Sequence, residues 1–103
     1  MPIPERYESF EDFYPYYLSE HRQPTCRRLH FLGILLALTA LLTIVLSQAF
    51  RFLWLPLVLG YGFAWVGHYF FEKNRPATFE YPLYSLRGDF RMFREILTGR
   101  RSF

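Results

Sequence analysis

Two long parts of the sequence contain no charged residue. Residues 29–50 and 52–71 have no Asp, Glu, Lys or Arg, although these types make up 20% of the 103-residue chain. Each stretch matches the ~20 residues that a helix needs to cross the hydrocarbon core of a bilayer. A soluble domain would distribute charges along amphipathic helices, and so short a chain has little other material to cover two apolar helices. The sequence therefore predicts an integral membrane protein.

Cysteine is nearly absent as well. Cys26 is the only one, which excludes an intrachain disulfide, and we expect its thiol to lie reduced at the cytoplasmic interface. The first residues, PIPERYESFED, are acidic where a secretory signal would be basic, so no cleaved signal peptide is predicted.

The hydropathy pattern predicts one all-α membrane domain over residues 1–103. The first span covers 29–48, the chain turns back around Gln48–Arg51, and the second span covers 52–74. Small residues let neighbouring membrane helices approach closely. Both spans contain them: Gly33, Ala37, Gly60, Gly62, Ala64 and Gly67. We therefore predict a two-helix transmembrane hairpin.

Interfacial amphipathic helices are predicted on either side of this hairpin. Residues 9–21 begin with the capping residue Ser9 and carry aromatic rings at helical spacing, which suit the headgroup layer. Residues 85–98 have a basic and an apolar face, which favours a helix lying in the interface plane. These faces consist of Arg87, Arg91 and Arg94, and of Phe90, Phe93 and Leu97. Pro24 is expected to end the first helix, and Pro82 to keep its segment extended.

Basic residues flank the two spans unequally. Arg51 alone lies between the two uncharged stretches, whereas four arginines precede residue 29 and seven Lys or Arg residues follow residue 71. The positive-inside rule therefore places both termini in the cytoplasm, at the plasma membrane of a bacterium or the endoplasmic reticulum of a eukaryote. With a pI near 9.2, the chain is expected to attract anionic headgroups and not nucleic acid. The preceding arginines are Arg6, Arg22, Arg27 and Arg28.

Three histidines are present, and the hairpin brings all of them to one membrane face. His30 and His68 lie equally far from the turn, and His21 lies just outside the same face. Neutral imidazole is the commonest metal-binding side chain, and two imidazoles with one carboxylate form the facial triad of non-haem Fe(II) oxygenases. Each histidine alone also fits an interfacial side chain bonded to water or a carbonyl. Together they predict a metal site acting on a lipid-soluble substrate.

Two carboxylates are candidates to accompany these histidines. Glu72 follows His68 by four residues, so a continuous helix puts both on one face. Glu72 would ligate the metal or orient a histidine, or else pair with Lys73 or Arg75 at the surface. Asp89 is the alternative, although it also suits the start of the last helix, where a carboxylate is favoured.

Several blocks of the sequence resemble one family of small membrane proteins. They are YYLSEH at 16–21, RRLHFLG at 27–33, YGFAWVGHYFFEKNRPATFEYPLYSL at 61–86 and GDFRMF at 88–93. The similarity covers nearly the whole chain, and the block GH-x-x-FE-x-x-RPA is quite specific. The family was long classed as a domain of unknown function, and its characterised fungal member is an iron-dependent 2-hydroxy fatty acid dioxygenase of the endoplasmic reticulum.

The resemblance implies an enzyme of fatty acid α-oxidation, in which a 2-hydroxy acyl chain loses its carboxyl carbon using O2 and histidine-bound Fe(II). The family histidines required for activity correspond to His21, His30 and His68. The fungal type is longer, with further hydrophobic segments where this chain has the Gln48–Arg51 turn. The acyl pocket is then smaller or completed by a second subunit. Because two spans seldom enclose a ligand, we expect a homo-oligomer, most simply a dimer.

A substrate of this kind would place its acyl tail among the spans and its carboxylate at the interface. Arg27, Arg28 and Arg75 are the expected carboxylate-binding residues, because guanidinium groups make strong charge-assisted hydrogen bonds. The competing hypothesis is a non-catalytic hairpin that scaffolds partners or tunes lipid packing, which predicts indifference to histidine replacement. A channel or transporter is disfavoured, because residues 29–50 and 52–71 contain no charged residue to mark a path.

Overall fold

A computed structural model describes residues 7–103, and Arg6 with the five residues before it lies outside this part. No β-strand occurs in residues 7–103, so the predicted all-α class is confirmed. The α-helices are α1 (Phe10–Ser19), α2 (Pro24–Ser47), α3 (Trp54–Val66) and α4 (Pro82–Leu97). Shorter segments are the 3₁₀ turns Phe50–Phe52 and Ala77–Phe79 and a π-helix, Gly67–Glu72, that continues α3.

Prolines begin two of these helices. Pro24 and Pro82 lie in the first turns of α2 and α4, where the missing N–H would have no helical partner and the fixed φ already suits a helix. The expectation that Pro82 keeps its segment extended is therefore wrong. Because Pro24 begins α2, this helix starts at residue 24, before the predicted start of the first span at residue 29.

Helices α2 and α3 pack against each other in opposite directions. The chain reverses after Gln48, whose φ of 56° lies in the left-handed region. A Cβ on Gly33 would lie 2.8 Å from Phe63 Cβ, and a Cβ on Gly67 would lie 2.9 Å from Cys26 Sγ. Neither glycine leaves room for a side chain, so the two helices are in close contact over several turns.

The outer surface of this helix pair is apolar. The segments Pro24–Ser47 and Phe50–Glu72 are each long and apolar enough to cross a membrane. Leu42, Leu46 and Leu57 are 60%, 76% and 63% exposed. An apolar surface of this extent is typical of a membrane or protein contact.

Helices α1 and α4 form a second layer with its own aromatic core. Phe13 and Tyr17 of α1 and Met92 of α4 are almost completely buried. The α1 rings that the sequence assigned to the headgroup layer therefore pack inside the protein. The second layer is joined to α2 through Phe31 and Phe93, whose rings stack 4.7 Å apart.

The buried face of α4 differs from the predicted apolar face. Ser85, Gly88, Met92 and Ile96 are the buried residues of this helix, whereas Phe90 and Leu97 are 46% and 65% exposed. Gly88 explains the difference, because a Cβ there would lie 2.9 Å from Tyr17 Cδ2. Helix α1 thus docks at Gly88, where α4 has no side chain, and this contact leaves Phe90 and Leu97 exposed.

Candidate metal centre

Three elements bring the three histidines together in the interior. His21 follows α1, His30 lies in the second turn of α2, and His68 lies in the π-helix. These three histidines are only 2%, 3% and 2% exposed, respectively. The ring centroids are 4.4 Å apart for His21 and His30, 4.5 Å for His21 and His68, and 4.9 Å for His30 and His68. The convergence predicted from the spacing is therefore present.

Each imidazole is oriented by a hydrogen bond from Nδ1. His21 Nδ1 donates to the Tyr17 carbonyl oxygen at 2.7 Å, and His30 Nδ1 donates to the Cys26 carbonyl oxygen at 2.9 Å. Carbonyl oxygens only accept, so both Nδ1 atoms carry the proton. Metal-binding histidines characteristically donate their second ring N–H to a carbonyl or carboxylate in this way.

His68 is held by an amide that sequence reasoning missed. Asn74 Oδ1 lies 2.7 Å from His68 Nδ1. The Asn74 Nδ2 group donates to the Glu20 carbonyl oxygen at 3.1 Å and to Glu20 Oε2 at 3.2 Å. These donor bonds orient the amide so that Oδ1 accepts from His68. The available signal was the position of Asn74 inside the GH-x-x-FE-x-x-RPA block.

The Nε2 atoms of His21 and His30 then face each other without a proton between them. His21 Nε2 and His30 Nε2 are 3.0 Å apart, and both are lone-pair acceptors when Nδ1 is protonated. Burial lowers the pKa of His21 well below its usual value, and the neighbouring imidazoles lower it further, so protonation of this ring is disfavoured. Two lone pairs at this distance repel unless a cation lies between them. The donor arrangement therefore fits a bound metal ion.

Cys26 adds a buried sulfur beside the histidines. One ligand atom from each of His21, Cys26, His30 and His68 can be chosen so that all lie within 4.8 Å of one another. The thiol is fully buried, in contrast to the interfacial position expected for it. Its Sγ lies 3.7 Å from His30 Nδ1.

The two carboxylate candidates lie in different surroundings. Glu72 is half-buried, and its Oε1 accepts a hydrogen bond from the backbone N–H of Gln23. Asp89 has a side chain that is 14% exposed, and its Oδ1 lies 4.0 Å from His30 Nε2. Burial raises the pKa of Asp89 to about 7, although the hydrogen bond from Tyr17 opposes this rise.

An apolar groove leads away from the histidines between α2 and α3. The cavity has a volume of about 170 Å³, and its polar end is formed by His30 and Asp89. Its walls are mostly aliphatic and aromatic: Ile34, Ala37, Leu38, Leu41, Pro56, Leu57, Gly60, Tyr61, Ala64, Leu86 and Phe90. Along α2 the wall extends from His30 to Leu41, about 16 Å of helix.

The three arginines predicted to bind a carboxylate do not line this groove. Arg27 Nη1 donates to the carbonyl oxygens of His21 and Arg22, at 3.2 and 2.9 Å. Arg28 Nε donates to the carbonyl oxygen of Phe103 at 3.2 Å. The Arg75 guanidinium stacks over the Phe79 ring, 4.7 Å from its centroid. Their role toward a substrate stays a prediction.

Taken together, the described residues form an all-helical protein with a buried group of metal-binding side chains at the polar end of an apolar groove. The chain belongs to the 2-hydroxy-palmitic acid dioxygenase Mpo1-like family, whose family model matches residues 7–101. Neither a curated protein nor a solved structure matches the chain. The family description implies a dioxygenase-related function.

Proposed function

We propose that the protein is a membrane-embedded Fe(II)-dependent dioxygenase that removes the carboxyl carbon of 2-hydroxy fatty acids. One observation carries the proposal: three buried imidazoles, each oriented through Nδ1, offer metal-binding atoms within 4.8 Å of one another at the polar end of an apolar groove. Family membership supplies the reaction class. His21, His30 and His68 would hold the iron, with Glu72 or Asp89 as the accompanying carboxylate.

The chemistry balances with one substrate molecule and one O2. The bond between C1 and C2 breaks, C2 is oxidised to a carboxylic acid, and C1 leaves as CO2. Oxidation of these two carbons releases the four electrons that reduce O2, and water completes the balance, so no organic cosubstrate is required. Bound ferrous iron would supply open coordination positions for O2 and for one oxygen of the substrate.

The chain's own residues would bind and orient the substrate. The groove between α2 and α3 would hold the acyl tail and exclude water, and His30 and Asp89 mark the end where the oxygen-bearing carbons would lie. Arg27, Arg28 or Arg75 would bind the carboxylate at the interface, which requires at least one of these side chains to leave its present contacts.

The proposed setting is a transmembrane hairpin with both termini in the cytoplasm. The exposed leucines of α2 and α3 would contact lipid, and the exposed Phe90 and Leu97 of α4 would enter the interface. The membrane would be the endoplasmic reticulum of a eukaryote or the plasma membrane of a bacterium. The groove is smaller than the ~300–1,000 Å³ of typical ligand pockets, which supports a homodimer in which a second copy completes the wall.

Metal analysis of detergent-purified protein tests the proposal. Iron content and O2 consumption are measured after anaerobic reconstitution, for the wild type and for His21→Ala, His30→Ala and His68→Ala. Thr39→Ala, on the α2 surface away from the site, is the control. We expect loss of iron and of O2 consumption in each histidine variant, and activity only with 2-hydroxy acids, compared with unhydroxylated acids of the same lengths.

A non-catalytic scaffold predicts a different outcome. Iron content would be unchanged across the three histidine variants, and 2-hydroxy acids would not increase O2 consumption. That result would overturn the proposed function.

A further inference from the structure

We propose that Asp89 is the carboxylate ligand of the metal centre and that Tyr17 is the positioning residue that orients it. The inference rests on the proposed metal site and chooses between the two carboxylates that the sequence leaves open. It also makes α4, which lies outside the helix pair, a structural part of the site.

The distances around Asp89 suit a shared ion. Two ligand atoms that each lie about 2.1 Å from one ion, as imidazole nitrogens do on zinc, are at most about 4.2 Å apart. Asp89 Oδ1 lies 4.0 Å from His30 Nε2. His21 Nε2 lies 3.0 Å from His30 Nε2. Both separations are therefore compatible with one coordination sphere.

Tyr17 connects the carboxylate to a second candidate ligand. The Tyr17 hydroxyl donates to Asp89 Oδ1. The Tyr17 ring stacks on His21, with centroids 4.1 Å apart, and its carbonyl oxygen accepts from His21 Nδ1. Ligating carboxylates are commonly held by hydrogen bonds of this kind. One fully buried residue thus orients both an imidazole and a carboxylate.

The neighbouring glycine fixes the approach of α4. Gly88 faces the Tyr17 ring so closely that a Cβ would lie 2.9 Å from Tyr17 Cδ2. Because Asp89 is the next residue, this contact places its carboxylate at the end of the groove beside His30. Glu72, in comparison, has an oxygen bonded to the backbone of Gln23.

The donor set also has a chemical consequence. Three imidazoles and one carboxylate combine nitrogen and oxygen ligands, which suit Fe(II) in oxygenases, whereas thiolate favours softer ions or clusters. With Asp89 as the additional ligand, the donor set needs no thiolate from Cys26. It also leaves positions free for O2 and a substrate arriving along the groove.

Titration of full-length, detergent-purified protein with Fe(II) and with Co(II) tests the inference. The variants are Asp89→Asn and Tyr17→Phe. The matched controls are Asp12→Asn, an exposed aspartate, and Tyr14→Phe, which removes a similar tyrosine–carboxylate bond, from Tyr14 to Glu95 at 2.5 Å. We expect Asp89→Asn to weaken binding at least a hundredfold and Tyr17→Phe about tenfold, since partners of ligands contribute ten- to hundredfold.

The visible spectrum of the Co(II) protein separates ligation from a general structural effect. Asp89→Asn should change the positions and intensities of the d–d bands, and Tyr17→Phe should shift them less, while both controls retain the wild-type spectrum. Far-UV circular dichroism verifies the helical fold of each variant. If Asp89→Asn does not fold, the Co(II) spectrum of Tyr17→Phe tests whether Asp89 is a ligand.

Two outcomes would overturn the inference. Wild-type affinity and spectrum in both Asp89→Asn and Tyr17→Phe would exclude Asp89 as a ligand while leaving the histidine site intact. In that case a further variant, Glu72→Gln, would lose the metal if Glu72 is the ligand instead. Absence of Fe(II) and Co(II) binding by the wild type would remove the proposed function together with this inference.

Discussion

At the scale of residues, the site is built from side chains that hold one another in orientation. His30 and His68 were identifiable in the sequence because they lie equally far from a turn between two apolar segments. Their hydrogen-bond partners were not, since a carbonyl of Cys26 and an amide at Asn74 leave no periodic signal. The histidines could be singled out because the chain has only three, whereas the hydrogen-bond partner of each ring became known only from the tertiary structure.

Asn74 gives a prediction at this scale. Asn74→Ala removes the acceptor of the His68 Nδ1 proton, so we expect metal affinity to fall by about ten- to hundredfold. Asn74→Asp keeps an acceptor at the same place and should recover much of this loss. Isothermal titration with Co(II) measures both. Equal affinities of the alanine variant and the wild type would contradict the role of Asn74.

At the scale of elements, close helix contacts determine the geometry. The uncharged stretches predicted two long helices, but their bounds shifted because Pro24 and Pro82 begin helices. The predicted apolar face of α4 is present in the sequence, yet the protein buries a different face, with Gly88 against Tyr17 and Met92 and Ile96 in the aromatic core. Periodicity reveals that a face is apolar, but it does not reveal which neighbour covers it.

Two glycines of the helix pair provide a matched comparison. Gly33→Ala places a Cβ 2.8 Å from Phe63 Cβ, whereas a Cβ on Gly62 has no atom within 4 Å. Both changes raise helix propensity by up to about 1 kcal/mol. We expect the clash to make Gly33→Ala less stable than Gly62→Ala by about 1–3 kcal/mol. Thermal unfolding in detergent measures the difference, and equal stabilities would contradict the packing of α2 on α3.

At the scale of the whole molecule, the α1–α4 layer must remain assembled if Asp89 is to reach the histidines. Glu95 of α4 contributes to this assembly by accepting from Tyr14 Oη at 2.5 Å, and it binds Arg101 Nε at 3.0 Å. Burial raises the pKa of Glu95, but the hydrogen bonds from Tyr14 and Arg101 outweigh this and lower it below the ordinary value.

This lowered pKa predicts acid sensitivity. The unfolded chain takes up a proton at Glu95 near its ordinary pKa of about 4.3, while the folded protein does so only at lower pH. The stabilisation is therefore complete above the unfolded value and is lost as the pH falls through the folded one. Glu95→Gln should cost about 1–3 kcal/mol at pH 7.

The comparison is made by thermal unfolding of the wild type and Glu95→Gln at pH 7 and at pH 3. The difference between the two proteins should shrink at the lower pH, because the unfolded wild-type chain is then protonated at Glu95, and folding with a charged carboxylate requires that proton to be released. Asp89 and the histidines titrate equally in both proteins, so their contributions cancel. A difference that does not change with pH would show that charge on Glu95 does not stabilise the layer.

The amino-acid sequence by itself determined the helical class, the two apolar segments and the candidate histidines, because hydropathy and spacing along the chain are local properties. Only the tertiary structure decided that α1 packs on α4, that Asn74 holds His68, and that Asp89 Oδ1 lies 4.0 Å from His30 Nε2. These relations join residues from separate helices. They depend on how closely the backbones approach at Gly67 and Gly88, which sequence periodicity does not record.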